Sequence, residues 1–324
     1  MRSFSHRWLS LLLAPLWCMS CAPATSADFP SRPIVIIVPF AAGGSSDVLA
    51  RLIGQRLGEN LGVSVVVENK PGAGATIGTG LVAKAPGDGH TALLADTAQT
   101  VAPAMYKSLP YDAVGDFKAA GMVGTSPAML FAGPKSAAKT VADLRTIARD
   151  DPAGLSIGTG AGTASHLTAE LFQIRSGIPL NIVPYKGAAQ AMTDVLSRNI
   201  DLVFTNPASA SQNLKAGLIR AIGTSGAARD PGFPDTPTFR EQGVDGMDVS
   251  YWFAVLLPAT TPEAIRQRWA AELRRVLAAP DLTRKLVDLG LTLSDMTPEQ
   301  VDQFLASDAA KWRQVVSTAG IKPE

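Results

Sequence analysis

Thiols and imidazoles are nearly missing from this 324-residue chain, which has two cysteines, Cys18 and Cys21, and three histidines, His6, His90 and His166. Both cysteines lie in the first 21 residues, so beyond them thiol catalysis, cysteine-ligated zinc and a disulfide framework are excluded. Charge is also scarce. Only 18% of residues are charged and the net charge is +1, so the chain has no concentrated basic footprint for nucleic acid or an anionic membrane surface. No apolar run approaches the roughly 20 residues that a spanning helix needs. With 46% hydrophobic residues, the chain is globular, large enough for one large domain or two, and suited to a small partner.

The N-terminus reads as an export signal. Arg2, His6 and Arg7 precede an apolar run from Trp8 to Met19, and Thr25-Ser26-Ala27 supplies the small residues a signal peptidase reads. Cleavage after Ala27 takes two basic and no acidic residues, leaving a mature charge of about −1. Cys21 is not expected to carry a lipid anchor, because Cys18-Met19-Ser20 lacks the aliphatic residue such a site usually carries three positions earlier. The expected destination is the periplasm.

Short apolar runs then alternate with helical periodicity, the pattern of a parallel sheet covered by helices. Ile34 to Val38 predicts a doubly buried strand, and Val48, Leu49, Leu52, Ile53 and Leu57 mark one face of the helix after it. Ser64 to Glu68, a helix from about Thr76 to Ala85 and a strand from Thr91 to Ala95 follow. In a second series, Thr140 and Asp143 form a capping box, and strands at Leu155–Gly158, Ile182–Tyr185 and Leu202–Thr205 alternate with helices at Ser165–Arg175 and Ala189–Ser197. After a strand at Tyr251–Leu257 only helices are expected, opened by Pro262 and Pro298. This predicts an α/β protein of two lobes, residues 28–124 with 247–324 and residues 125–246. The chain crosses near Val123–Phe131 and again near Val249–Leu257, forming a hinge over a cleft.

Two glycine-rich loops stand at equivalent places in the two series. Phe40-Ala41-Ala42-Gly43-Gly44-Ser45-Ser46-Asp47 joins the first strand to its helix, and Gly158-Thr159-Gly160-Ala161-Gly162-Thr163-Ala164-Ser165 does the same in the second lobe. Each exposes the N–H groups and positive end of a helix with no cationic side chain, an anion cradle that hinge closure would complete. Asp47 and Arg51 are four residues apart and read either as a surface pair or as Asp47 orienting the loop or meeting a ligand ammonium. Thr163 or Ser165 is expected to cap the helix that contains His166. His166 and Glu170 share the same spacing, but no third metal ligand is evident.

Enzyme motifs are missing. Gly72-Ala73-Gly74-Ala75-Thr76-Ile77-Gly78 is one residue too long for a dinucleotide fingerprint and follows the wrong strand, and no GxxxxGK[ST] sequence occurs; Gly154-Leu155-Ser156-Ile157-Gly158 has GxSxG spacing but lies along the expected Leu155–Gly158 strand, so no GxSxG elbow is formed. An exported hydrolase using Ser165 or Asp47 is the alternative reading. It lacks a base that can be assembled around either residue.

The segments PFAAGGSSDVLAR, NKPGAGATIG, GTGAGTASHLTAELF, VPYKGAAQAMTDVLSRNIDLVF and RAIGTSGAARDPGFPDTPTFREQG, in that order, resemble the Bug or TctC family of periplasmic solute-binding proteins serving tripartite tricarboxylate transporters. The resemblance runs from about Asp28 to the C-terminus. It implies a type II, Venus-flytrap fold, no catalysis, no cofactor and no metal, a monomer, and membrane transporter subunits as partners. A sensor kinase is the other possible recipient of the ligand signal.

The resemblance also implies that a ligand carboxylate is held at Phe40, Ala41, Ala42, Gly43, Gly44, Ser45 and Asp47 and at Thr159, Gly160, Ala161, Thr163 and Ser165, with Thr97, Tyr185, Lys186 and Asn206 as further wall residues. The chain departs from the family pattern at Asp96, where a neutral small residue would be ordinary, and Thr97-Ala98 and Gln99 fall in a variable segment. With Lys186 as the only cation expected near the cleft, a small mono- or dicarboxylate is favoured over citrate.

Overall fold

A computed structural model describes residues 29–151, 154–321 and 323; the expected export signal and cleavage site lie outside them. Along the chain, β1 (Ile34–Val38), α1 (Ser45–Leu61), β2 (Val65–Asn69), α2 (Thr76–Ala83), β3 (Thr91–Asp96), α3 (Ala98–Met105) and β4 (Phe117–Pro127) form the first series. The second comprises β5 (Met129–Ala132), α4 (Val141–Asp150), β6 (Leu155–Gly160), α5 (Ala164–Ser176), β7 (Leu180–Tyr185), α6 (Ala188–Leu196), β8 (Leu202–Thr205), α7 (Pro207–Lys215) and β9 (Arg220–Thr224). The chain closes with β10 (Ser250–Pro258), α8 (Glu263–Leu277), α9 (Pro280–Asp288), β11 (Thr292–Leu293) and α10 (Pro298–Ala319).

Two sheets result, ordered β11-β4-β10-β3-β1-β2 and β7-β6-β8-β5-β9. In the first, Ile34, Ile36, Leu49, Ile53, Trp269 and Leu286 pack α1, α8 and α9 on one face, while Val82, Leu93, Trp252, Val301 and Leu305 bring α2 and α10 to the other. In the second, Leu144, Phe172 and Phe204 form one core with α4 and α5, and Phe131, Ala191, Val195 and Val203 the other with α6. The αβ units that run in sequence order pair in parallel, β1 with β2 and β3, and β6 with β7 and β8.

Neither sheet is wholly parallel, contrary to the sequence expectation. β10 lies antiparallel between β3 and β4, and β5 lies antiparallel between β8 and β9. A strand buried on both faces is a continuous apolar run in either direction, so its hydropathy does not encode its polarity. These are also the strands where the chain changes sheet. Only Ala128 separates β4 from β5, and β10 returns to the first sheet beside β4, with Tyr251 opposite Ser126. Ser225 joins the two crossings, its Oγ accepting the Ala128 N–H at 2.9 Å and donating to the Val249 carbonyl.

The tail corrects a second expectation. It contains the two-residue strand β11, paired antiparallel with β4, and α10 does not serve one sheet alone. Val301 and Leu305 belong to the core under the first sheet, whereas Trp312 and Val316 belong to the core that holds Phe172 and Phe204 of the second. The predicted capping box at Thr140 and Asp143 is present on α4, and a second, Thr297 with Gln300, opens α10.

Candidate functional site

Between the sheets lies a cleft of about 630 Å³, counted out to its mouth. It is built from chain ends: strands β3, β6 and β8 stop at it, and five helices start at it. α1 contributes Gly44, Ser45 and Ser46; α5 contributes Thr163, Ala164 and Ser165; α6 contributes Gly187, Ala188 and Ala189; α3 and α7 contribute their N-caps, Thr97 and Asn206. First-turn N–H groups have no intrahelical acceptor, and each helix start carries partial positive charge. Converging starts at the carboxyl ends of strands therefore favour an anion.

Hydroxyls hold these loops in shape rather than capping the helix. Thr163 is the N-cap of α5, but its Oγ1 donates to the Gly160 carbonyl at 2.7 Å, and Ser165 Oγ accepts the Gly160 N–H at 3.0 Å. The expected side-chain cap from Thr163 or Ser165 is thus replaced by a tied loop. Ser165 has no base aimed at it among these contacts: His166 Nδ1 instead accepts the Gly162 N–H at 3.4 Å. Across the cleft, Asn206 Nδ2 donates to Ser45 Oγ at 3.1 Å and the Ser45 N–H donates to Ser209 Oγ at 3.0 Å. These two bonds tie α1 of the first sheet to α7 of the second, so the two sides already touch.

Of the residues expected at the site, Phe40, Ala41, Gly44, Ser45, Thr97, Gly160, Thr163, Ser165 and Asn206 line the cleft together. Ala42, Gly43, Asp47, Thr159, Ala161, Tyr185 and Lys186 are not brought to its wall. Ala42 and Gly43 are exposed at the bend of the loop, where Gly43 has φ +87°, a left-handed backbone that favours glycine. Asp47 is turned behind the loop. Its carboxylate accepts from the Gly43 N–H (3.0 Å), Asn69 Nδ2 (3.0 Å) and Arg51 (2.8 Å). Burial pushes its pKa up, but these hydrogen bonds outweigh that and hold the carboxyl below the usual range.

Thr159 is buried within β6, and Ala161 donates its N–H to the Tyr185 carbonyl at 3.0 Å. Tyr185 points its hydroxyl to Asp194 at 2.7 Å, and Lys186 is exposed. The expected ammonium is therefore absent from the wall, and none of the described residues lining the cleft is Lys, Arg or His.

Asp96, Tyr251 and Phe253 line the cleft, together with Gly187, Ala188, Ala189 and Thr205, none of which the sequence pattern assigned to the site, and Ser46 of the first glycine-rich loop lines it too. Asp96 ends β3. Its Oδ1 accepts the Ala98 N–H at 2.9 Å and its Oδ2 accepts Ser46 Oγ–H at 3.0 Å. Burial pushes its pKa up to about 6, with the two hydrogen bonds opposing. Its departure from the family pattern was the one available signal. Tyr251 and Phe253 alternate with Trp252 along β10, whose position beside β3 no local pattern encodes.

Residues 49–321 match a family of known proteins described as "Tripartite tricarboxylate transporter family receptor". The chain belongs to this family. BugT of Bordetella pertussis is 33% identical over 304 residues, 93% of each chain, and a UPF0065 protein of Pseudomonas sp. strain P51 is 36% identical over 290 residues, 89% of this chain and 86% of that one.

Among solved structures, the periplasmic binding protein BugD superposes with a TM-score of 0.87 at 32% identity, covering 91% of this chain and all of that one. An R. palustris protein solved with adipate gives 0.88 at 33%, covering 92% of this chain and all of that one. MatC from Rhodopseudomonas palustris with bound malate gives 0.83 at 29%, covering 89% of this chain and all of that one. The receptor thus has the two-lobed α/β fold of these binding proteins, and its family is one of solute-binding receptors rather than enzymes.

Proposed function

We propose that this receptor works in the periplasm, where it captures a small carboxylate by closing its two lobes and delivers it to the membrane subunits of a tripartite transporter. The convergence of five helix starts from both sheets on one cleft carries this reading, because it concentrates positive potential there without a cationic side chain. The lobes are residues 28–124 with 247–324, and residues 125–246, joined where β4 passes into β5 and where the chain returns into β10. The receptor is a monomer that starts near Asp28 after export. No described helix is long and apolar enough to cross a membrane, which agrees with delivery to separate membrane subunits. The relatives' adipate and malate set the ligand scale, and about 630 Å³ admits acids of that size.

Calorimetry with a panel of acids of three to six carbons tests the reading. Saturable binding of at least one of them, with no turnover, is expected. Conversion of a bound acid to product, or no binding by any acid, overturns it.

A further inference from the structure

The electrostatics of the cleft are lopsided. On the side of the second sheet, the starts of α5, α6 and α7 meet the cavity, and no described lining residue there is acidic. The opposite wall holds Asp96, whose carboxylate faces Ser46 at the start of α1 and the Ala98 N–H at the start of α3. The other titratable group near it is the Tyr251 hydroxyl on β10, which donates to Thr168 Oγ1 at 3.3 Å. Asp47 on α1 is turned away and paired with Arg51. No protein cation balances Asp96 within the described cleft lining. A ligand carrying only carboxylates would place like charges together in a partly dehydrated site.

Resting on the carboxylate-receptor reading, we propose that Asp96 is the specificity-determining residue and that it selects a zwitterion. The ligand's ammonium pairs with Asp96, and its carboxylate faces the starts of α5, α6 and α7. The rings of Phe40, Tyr251 and Phe253 line the same cavity and supply apolar and π surface that tolerates a cation. Both Asp96 oxygens accept hydrogen bonds as placed, the arrangement of an ionised carboxylate rather than of a neutral acid donating to a ligand.

Matched pairs differing only by an amino group test this on the full mature chain: succinate with aspartate, glutarate with glutamate, adipate with 2-aminoadipate, and butyrate with 4-aminobutyrate. In at least one pair the amino member should bind about tenfold or more tightly, and D96N should erase that preference. Asparagine keeps an oxygen for the Ala98 N–H; D96S is the second variant, and the wild-type comparison needs neither. Binding of the amino ligand should weaken from pH 7 to pH 5 in the wild type and not in D96N, because Asp96 takes up its proton near 6.

If plain diacids bind at least as tightly as every amino partner, the receptor reading stands and the zwitterion inference falls. The inference falls equally if diacid binding strengthens in acid through Asp96, which would make that carboxyl a neutral donor. If no acid of either kind binds, both readings fall.

Discussion

Asp96 and Asp47 lie about fifty residues apart in sequence, and both carboxylates serve the start of α1, yet their effects on stability run in opposite directions with pH. Asp96 has a raised folded-state pKa, so its ionisation is disfavoured by folding. That cost is absent below about pH 4 and full above about pH 7, and stability falls as the pH rises between them. D96N should accordingly stabilise the ligand-free receptor by roughly 1 to 3 kcal/mol at pH 8 and by little at pH 4, read from urea melts at the two values. Asp47 has a lowered value, so its contribution is present at neutral pH and is lost as acid protonates it.

Asp47→Ala removes the acceptor shared by the Gly43 N–H, Asn69 and Arg51, although Asn69 keeps the Phe40 carbonyl and Arg51 keeps Asn69 Oδ1. Because Arg51 is half exposed, the expected stability loss is moderate, about 1 to 3 kcal/mol at pH 7, with weaker ligand binding because the loop slackens. Glycines complete this scale. A Cβ at Gly44 meets nothing nearer than the Ala41 carbonyl at 3.8 Å, whereas one at Gly160 comes within 2.9 Å of Thr163 Oγ1. Gly44→Glu should therefore abolish carboxylate binding in calorimetry with melting nearly unchanged, while Gly160→Asp should lose binding and some stability together.

At the scale of elements, α10 matters most because one helix supports both cores. Asp308, buried on it, accepts hydrogen bonds from Thr100 Oγ1 (2.6 Å), Trp252 Nε1 (2.9 Å) and Trp312 Nε1 (3.2 Å). The helix is thereby bonded to α3, whose N-cap lines the cleft, and to β10, which carries Tyr251 and Phe253. Asp308→Ala strands the two buried indole N–H donors, Thr100 Oγ1 keeping the Thr97 carbonyl at 3.1 Å, and should cost about 2 to 4 kcal/mol by denaturant unfolding. Trp312→Ala instead opens a cavity in the core it shares with Phe172 and Phe204 and should cost about 3 to 5 kcal/mol. A tail that merely covered the first sheet would leave the second lobe indifferent to that change.

For the whole molecule, the property to test is the proposed closure. The Asn206 and Ser209 bonds to Ser45 join the two sides directly; under the proposed closure they form the protein-on-protein part of the closed interface and a ligand would supply the rest. Asn206→Ala should weaken ligand affinity about tenfold, while the lost α7 cap, where Asn206 Oδ1 accepts the Ser209 N–H, costs only about 1 kcal/mol of ligand-free stability. A ligand at a hundredfold excess over its dissociation constant should add about 2.7 kcal/mol to wild-type stability, visible as an upward thermal shift.

Local information was enough for much of this. Hydropathy period and capping chemistry act between residues a few positions apart, so β1 with α1, the Thr140 box and the two glycine loops could be read from their neighbours in the chain. The combination of loops at equivalent places in two α/β series also pointed to an anion. Side-chain direction at the cleft was beyond that reach. Strand side chains alternate with period two, so the register of β7 against β6 decides that Tyr185 turns to Asp194 and not to the cleft.

Asp96 in turn reaches the cleft because β3 ends there beside β10, a strand contributed by chain more than 150 residues away. Long-range pairing of this kind leaves no mark on local sequence. The amino-acid sequence therefore determined the class of fold and the place of two glycine-rich loops at helix starts through short-range rules. Only the tertiary structure decided which charges face the cleft, because that depends on how distant strands register and how two sheets meet.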